Sequence, residues 1–189
     1  MPHNNQPVMV SEDRKAEIRK LFRAWQAEEI RNKHYWAHDS CNMNYFNNHS
    51  MPDSTGPDWG FPDSSEISFS FACLNEDTTL DGLVTFNPVQ CDGGNGSMWT
   101  QVQVFILSGK DGYRVTDTIA LEKFASTEFD SLGFYWIDSI GRHTLYGTYT
   151  EFSEDDPHCC PSINRPVVFD FVERKLVSIG EKKDELHGK

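Results

Sequence analysis

The sequence predicts an α+β domain in which strands dominate, and three observations carry that class. A single helical hydrophobic period lies near the N-terminus, the period changes to two after Ser65, and short glycine-bearing turns punctuate the chain from there on. The expected architecture is one N-terminal amphipathic helix packed on a predominantly antiparallel β-meander sheet. Residues 1–10 are expected to be a flexible arm, 11–180 a single α+β domain, and 181–189 a polar C-terminal tail.

The helix follows from Ser11, a good N-cap, with Glu12 and Asp13 placing negative charge in the first turn, where unpaired N–H groups favour it. Ile18, Leu21, Phe22 and Trp25 then fall at i, i+3, i+4 and i+7, and Ile30 extends the stripe. From Asn32 to Ser65 the pattern dissolves into a long irregular segment, a feature that is either functional or tied down in a compact domain. His34 and His38 lie there four apart, so a continued helix would put two imidazoles on one face as metal ligands; exposed histidines near a helix end are the plainer reading.

After Ser65, Ile67, Phe69 and Phe71 alternate with small polar residues as a half-buried strand. Gly82 to Phe86 and Trp99 to Leu107 read as the next two, and a Gly109-Lys110-Asp111-Gly112 turn pairs the latter with Tyr113 to Thr118. Phe134 to Ile140 and His143 to Phe152 flank Gly141-Arg142 as a second tight hairpin. Val167 to Val172 and Leu176 to Ile179 close the series at eight strands.

With 189 residues, 38% hydrophobic, the chain can bury one sizeable core. A formal net charge of −12 argues against nucleic acid, whose binders gain affinity from clustered Lys and Arg, and leaves a basic protein partner or simple solubility as its meaning. No apolar run is long enough for a transmembrane segment, and Met1 to Gln6 lacks the basic start and apolar region of a signal peptide. The protein is therefore expected to be cytoplasmic unless Met1 follows a removed leader. Cys41, Cys73, Cys91, Cys159 and Cys160 make an odd five, enough for two bridges and one thiol.

Three stretches carry candidate chemistry. Between Cys73 and Gly82, Asn75, Asp77 and Asp81 set oxygens at spaced positions of a tight loop, as a Ca²⁺ site requires; Cys73 stands where the first carboxylate belongs and Thr78 where the loop glycine belongs, which favours a strand-connecting turn and no cofactor. Cys91-Asp92-Gly93-Gly94-Asn95-Gly96 permits close backbone approach but lacks the lysine and following helix of a phosphate loop. Asp155-Asp156-Pro157-His158-Cys159-Cys160-Pro161-Ser162 places two cysteines between two prolines in an acidic turn. His158-Cys159 through Arg165 also has the His-Cys-x5-Arg spacing of a cysteine phosphatase. Pro161 removes a donor from that loop, however, and the residues after Arg165 read as strand where a helix N-terminus is needed.

Taken in order, the acidic loop, the Gly-Gly-Asn-Gly turn and the Asp-Pro-His-Cys-Cys-Pro-Ser segment resemble a group of small bacterial extracytoplasmic, lipoprotein-type domains with a D-P-x-C-C-P-[ST] signature and no settled activity. The resemblance runs from about Ile67 to Ile179. It implies Asp156, Pro157, Cys159, Cys160, Pro161 and Ser162 as a structural signature, and an oxidising periplasmic or envelope location. There, Cys159 or Cys160 is expected to bridge Cys91 or Cys73. The leading functional expectation is a non-enzymatic, disulfide-bearing domain with a binding or envelope-associated structural role. The alternatives are an acidic immunity or inhibitor protein that neutralises a basic toxin, and a thiol-dependent or metal-assisted hydrolase using Cys159 with Arg165, or Asp77 with Asp81.

Overall fold

A computed structural model describes residues 12–38, 40–41, 56–91, 100–116, 134–157 and 161–180. Cys159 and Cys160 lie outside these, as do Ser11, both terminal segments and the whole Gly-Gly-Asn-Gly turn. The fold is mixed α+β with mostly strand: helix α1 (Glu12–Arg31), followed by β1 (Trp59–Gly60), β2 (Ser68–Ala72), β3 (Asp81–Phe86), β4 (Val89–Gln90), β5 (Val102–Leu107) and β6 (Arg114–Thr116), then β7 (Phe134–Gly141), β8 (Thr144–Glu151), β9 (Ile163–Asp170) and β10 (Lys175–Ile179).

The strands do not form the one sheet expected. They divide into two four-stranded antiparallel sheets, β2-β3-β5-β6 and β10-β9-β8-β7, with β1 and β4 paired separately. The reason lies in side-chain alternation on β3 and β5. Leu83, Phe105 and Leu107 face Ile137, Leu145, Val167 and Phe169 of the second sheet, forming one core. Val84, Phe86, Val104 and Ile106 face the other way, onto Ile18 and Phe22 of α1, forming a second core. The first sheet is thus covered on both sides, which is why Val104, Phe105, Ile106 and Leu107 are all buried in succession.

Helix α1 buries Ile18 and Phe22, with Leu21, Trp25 and Ile30 packed on the same core, as its period predicts. It stops where Lys33 adopts φ 60° and His34 N–H reaches back 3.0 Å to Glu29 O, a left-handed helix end. Aromatic rings fill the layer beneath: Phe22 meets Phe69 edge-on at 5.5 Å, and Phe61 lies 5.9 Å from Trp25 and 5.3 Å from Phe86.

The two predicted hairpins form. Gly112, at φ 101°, donates to Gly109 O before β6, and Arg142 with His143 makes the two-residue connection from β7 to β8. Strand β9 begins earlier than Val167: it runs through Pro166, opposite Thr148. The proline is tolerated at the end of the β9–β10 ladder: the last strand pair is Ile179 opposite Val167, and just beyond it Gly180 N–H still donates to Pro166 O at 2.8 Å, so the missing N–H removes only a terminal rung.

Gly147 on β8 has no room for a side chain. A Cβ there would meet the backbone oxygen of Trp136 at 2.0 Å, and that atom cannot move without breaking the β7–β8 ladder. Gly147→Ala is expected to cost about 1–3 kcal/mol through overpacking, measured by urea unfolding. An unchanged midpoint would mean that β7 yields at no cost.

Candidate functional site

One end of the sandwich gathers the sequence's first candidate loop. Asp81 opens β3 on the inner face and is fully buried. Its Oδ2 accepts from the backbone N–H of Leu74 at 2.7 Å and of Asn75 at 3.2 Å, and its Oδ1 from Ser108 N–H at 2.7 Å and Ser108 Oγ at 2.8 Å. The amide of Asn75 adds a longer contact to Oδ1 at 3.4 Å and donates to Ser108 O at 2.9 Å. One carboxylate therefore ties the loop before β3 to the loop after β5. Burial of this charge is offset by those donors.

Asn75 and Asp77 shape the loop itself. Asn75 Oδ1 accepts from Asp77 N–H at 3.0 Å, and Asp77 Oδ1 from Thr79 N–H at 2.7 Å, two successive turns of the kind short polar side chains make with their own backbone. Ser108 Oγ lies 3.0 Å from Asp77 Oδ2, so Asn75, Asp77 and Asp81 do converge, around a serine that no sequence pattern singled out. Their oxygens face backbone N–H groups and the one hydroxyl of Ser108. Among the described residues, no three His, Cys, Asp or Glu side chains lie together as a metal-holding group.

His143 closes this end from the second sheet. It holds φ 59°, donates its backbone N–H to Cys73 O at 3.1 Å and accepts at its own carbonyl from Phe171 N–H at 2.9 Å. Its Nδ1 lies 3.1 Å from Leu74 O, which places the proton on Nδ1, and Nε2 accepts from Arg142 Nε at 3.3 Å. The imidazole acts as a clasp between the sheets.

Cys73 is a free thiol, not a bridge partner. Its Sγ sits 3.6 Å from Thr78 O within its own loop, and burial, aided by the charges of Asp81 and Asp77 against that of Arg142, pushes its pKa above the usual thiol value. A nucleophilic cysteine needs the opposite shift. Alkylation of Cys73 by iodoacetamide should therefore reach half its limiting rate at a higher pH than a simple thiol does. A midpoint below that of the simple thiol would contradict the direction.

The bridge the chain does make is Cys41–Cys91, with Cα atoms 5.1 Å apart across 50 residues of sequence. This corrects the expectation that Cys91 pairs with Cys159 or Cys160. The pairing is set by the irregular segment after α1, which folds back on the first sheet: Trp36 N–H donates to Trp59 O, Phe61 N–H to Trp36 O and Cys91 N–H to Asp58 O, each at 2.9–3.0 Å. Gly60 makes space for the sulfurs, since a Cβ there would meet Cys41 Cβ at 2.7 Å and Cys41 Sγ at 2.9 Å. The two-histidine face does not form. Helix α1 ends before His34, whose Nδ1 pairs with Glu29 at 2.8 Å, while His38 lies beyond the helix end.

The described part of the Asp156 turn is a staple. Asp156 Oδ2 accepts from Ser153 N–H at 2.6 Å and from Ser162 N–H at 2.7 Å, clasping both ends of the segment that contains Pro157 and Pro161. Arg165 lies inside β9, where its Nη2 donates to Glu151 Oε1 at 2.6 Å, so it does not stand on an anion-binding loop as the phosphatase spacing suggested. No helix among the described residues is long and apolar enough to cross a membrane. Comparison with protein-family models, with curated proteins and with solved structures found no match for the chain.

Proposed function

We propose that this chain is a non-enzymatic domain with a binding or envelope-associated structural role, working outside the reducing cytoplasm. The observation that carries the reading is the Cys41–Cys91 disulfide, because such bridges persist where thiols are not kept reduced. The Asp-Pro-His-Cys-Cys-Pro-Ser segment supports it through its resemblance to extracytoplasmic domains. The polar groups a hydrolase would draw on support it too. Asp81 and Asp156 are engaged by backbone donors, Arg165 by Glu151, and the thiol of Cys73 is held protonated.

Intact mass after alkylation in denaturant without reductant tests the reading. Five cysteines less the two in the bridge leave at most three reactive thiols. Five alkylated thiols in protein purified from its native host would overturn it.

A further inference from the structure

The two four-stranded sheets present four edge strands, and an edge offers backbone N–H and C=O groups without a ladder partner, a template for another extended chain. Three of the four are blunted. β10 opens on Lys175 and is broken by a bulge between Leu176 and Ser178. β7 carries a bulge between Ile137 and Ser139, and the side chain of Gln101 already takes the N–H and the C=O of Ile137, at 2.8 and 3.3 Å. β6 has three residues and opens on Arg114.

Strand β2 has none of these devices. Ser68-Phe69-Ser70-Phe71-Ala72 contains no charge and no proline, and it pairs with β3 at five successive positions without a shift. Among the described residues β3 is its only ladder partner, and every residue of the strand is at least partly exposed. Cys73 O, just beyond its end, accepts from His143 N–H, so the open edge runs from Ser68 to Ala72. Such an edge takes up an extended peptide through main-chain hydrogen bonds, and the side chains beside it select which one.

Those side chains are basic. Lys15, Arg19 and Arg23 recur four residues apart along one flank of α1. Lys15 Nζ stands 5.7 Å from the Phe71 ring, and the Arg19 guanidinium 5.2 Å from Phe71 and 5.7 Å from Phe69, so the row follows β2. Lys15 is paired with Glu12, but Arg19 and Arg23 are exposed and make no ion pair among the described residues. Four helical residues advance about 6 Å and two strand residues about 6.8 Å. Carboxylates at every second position of an added strand therefore keep step with this row.

We propose that the β2 edge is the docking site for an extended, acidic segment of a partner protein, which adds as a fifth strand and sets alternate carboxylates against Arg19 and Arg23. Charge complementarity selects this occupant. In a chain of net charge −12, the stretch from Arg14 to Arg23 is a local excess of cation, five Lys and Arg against one Glu. A second copy pairing through its own β2 would bring a second row of Lys15, Arg19 and Arg23 to the same seam, like charge against like.

This inference rests on the reading of the domain as a binder. The test is an NMR titration of the full chain with the end-blocked peptide Thr-Glu-Val-Glu-Val-Glu-Thr and two analogues. One has lysine in place of every glutamate. The other has proline in place of every valine, which keeps the charges but cannot complete a ladder. The first peptide is expected to shift the amide signals of Ser68 to Ala72, to slow their hydrogen exchange, and to bind at least about tenfold more tightly than either analogue. Arg19→Glu combined with Arg23→Glu should weaken it by about tenfold or more while the thermal transition persists, since both side chains are exposed. Equal affinities for the three peptides, shifts confined to α1, or no shift at millimolar peptide overturn the β2 site and leave the binder reading standing. A dimer that forms through β2 and excludes the peptide overturns it in favour of a second copy. Turnover of an aryl phosphate that is lost in Cys159→Ser overturns the binder reading itself.

Discussion

Replacing Cys41 and Cys91 together by serine is expected to lower the unfolding free energy by about 4 kcal/mol. The figure follows from the chain entropy released when a loop of 50 residues is no longer closed in the unfolded state. In a domain of this size it corresponds to a fall of roughly 8–16 °C in Tm. The native state loses support as well. The bridge anchors the segment carrying Tyr35 and Phe61 against Trp25 and Phe86, and Cys41 itself is buried. Urea unfolding of the double variant, beside wild type with and without reductant, measures the effect. Identical midpoints in all three would show that the bridge contributes nothing to stability.

Asp81→Ala should be nearly as costly, at about 3–5 kcal/mol, because it strands the N–H groups of Leu74, Asn75 and Ser108 inside the protein. Asp81→Asn is the sharper test. A carboxylate accepts at both oxygens, and donors face both: Leu74 and Asn75 at Oδ2, Ser108 at Oδ1. An amide has one acceptor, so whichever way it turns, its NH₂ meets N–H groups on one side. Asp81→Asn is expected to lose about 1–3 kcal/mol and to speed hydrogen exchange at either Leu74 or Ser108. A neutral Asp81→Asn would mean that one of those two loops is held by something else.

The legible parts of this protein are those written in local repeats. Helix α1 was readable because Ile18, Leu21, Phe22 and Trp25 recur at the period of a helix, and the structure buries that stripe. The main strands from Ser68 onwards and the Gly109–Gly112 turn were readable from equally local signals, and the β7–β8 connection was readable one residue early, at Gly141-Arg142 where the structure turns at Arg142-His143. Strands β1 and β4 were not, since two residues carry no period. The candidate loop was half readable. Asn75, Asp77 and Asp81 stood out by type and spacing, but Ser108, on which they converge, sits 27 residues beyond Asp81 in an ordinary post-strand turn. His143 gave a hairpin signal and no hint that its ring would reach Leu74, 69 residues away.

The sequence by itself thus determined the class of the fold, the order of its main elements and which side chains of each would seek a core, because backbone geometry ties those to neighbours a few residues apart. Tertiary structure alone decided that the strands split into two sheets, that Cys91 meets Cys41, that Asp81 is a buried tie and that Arg165 turns inward beside Glu151. Each of these depends on which distant segments share space. That is settled by how two hydrophobic faces of one sheet are covered, a global packing problem that local periodicity does not encode.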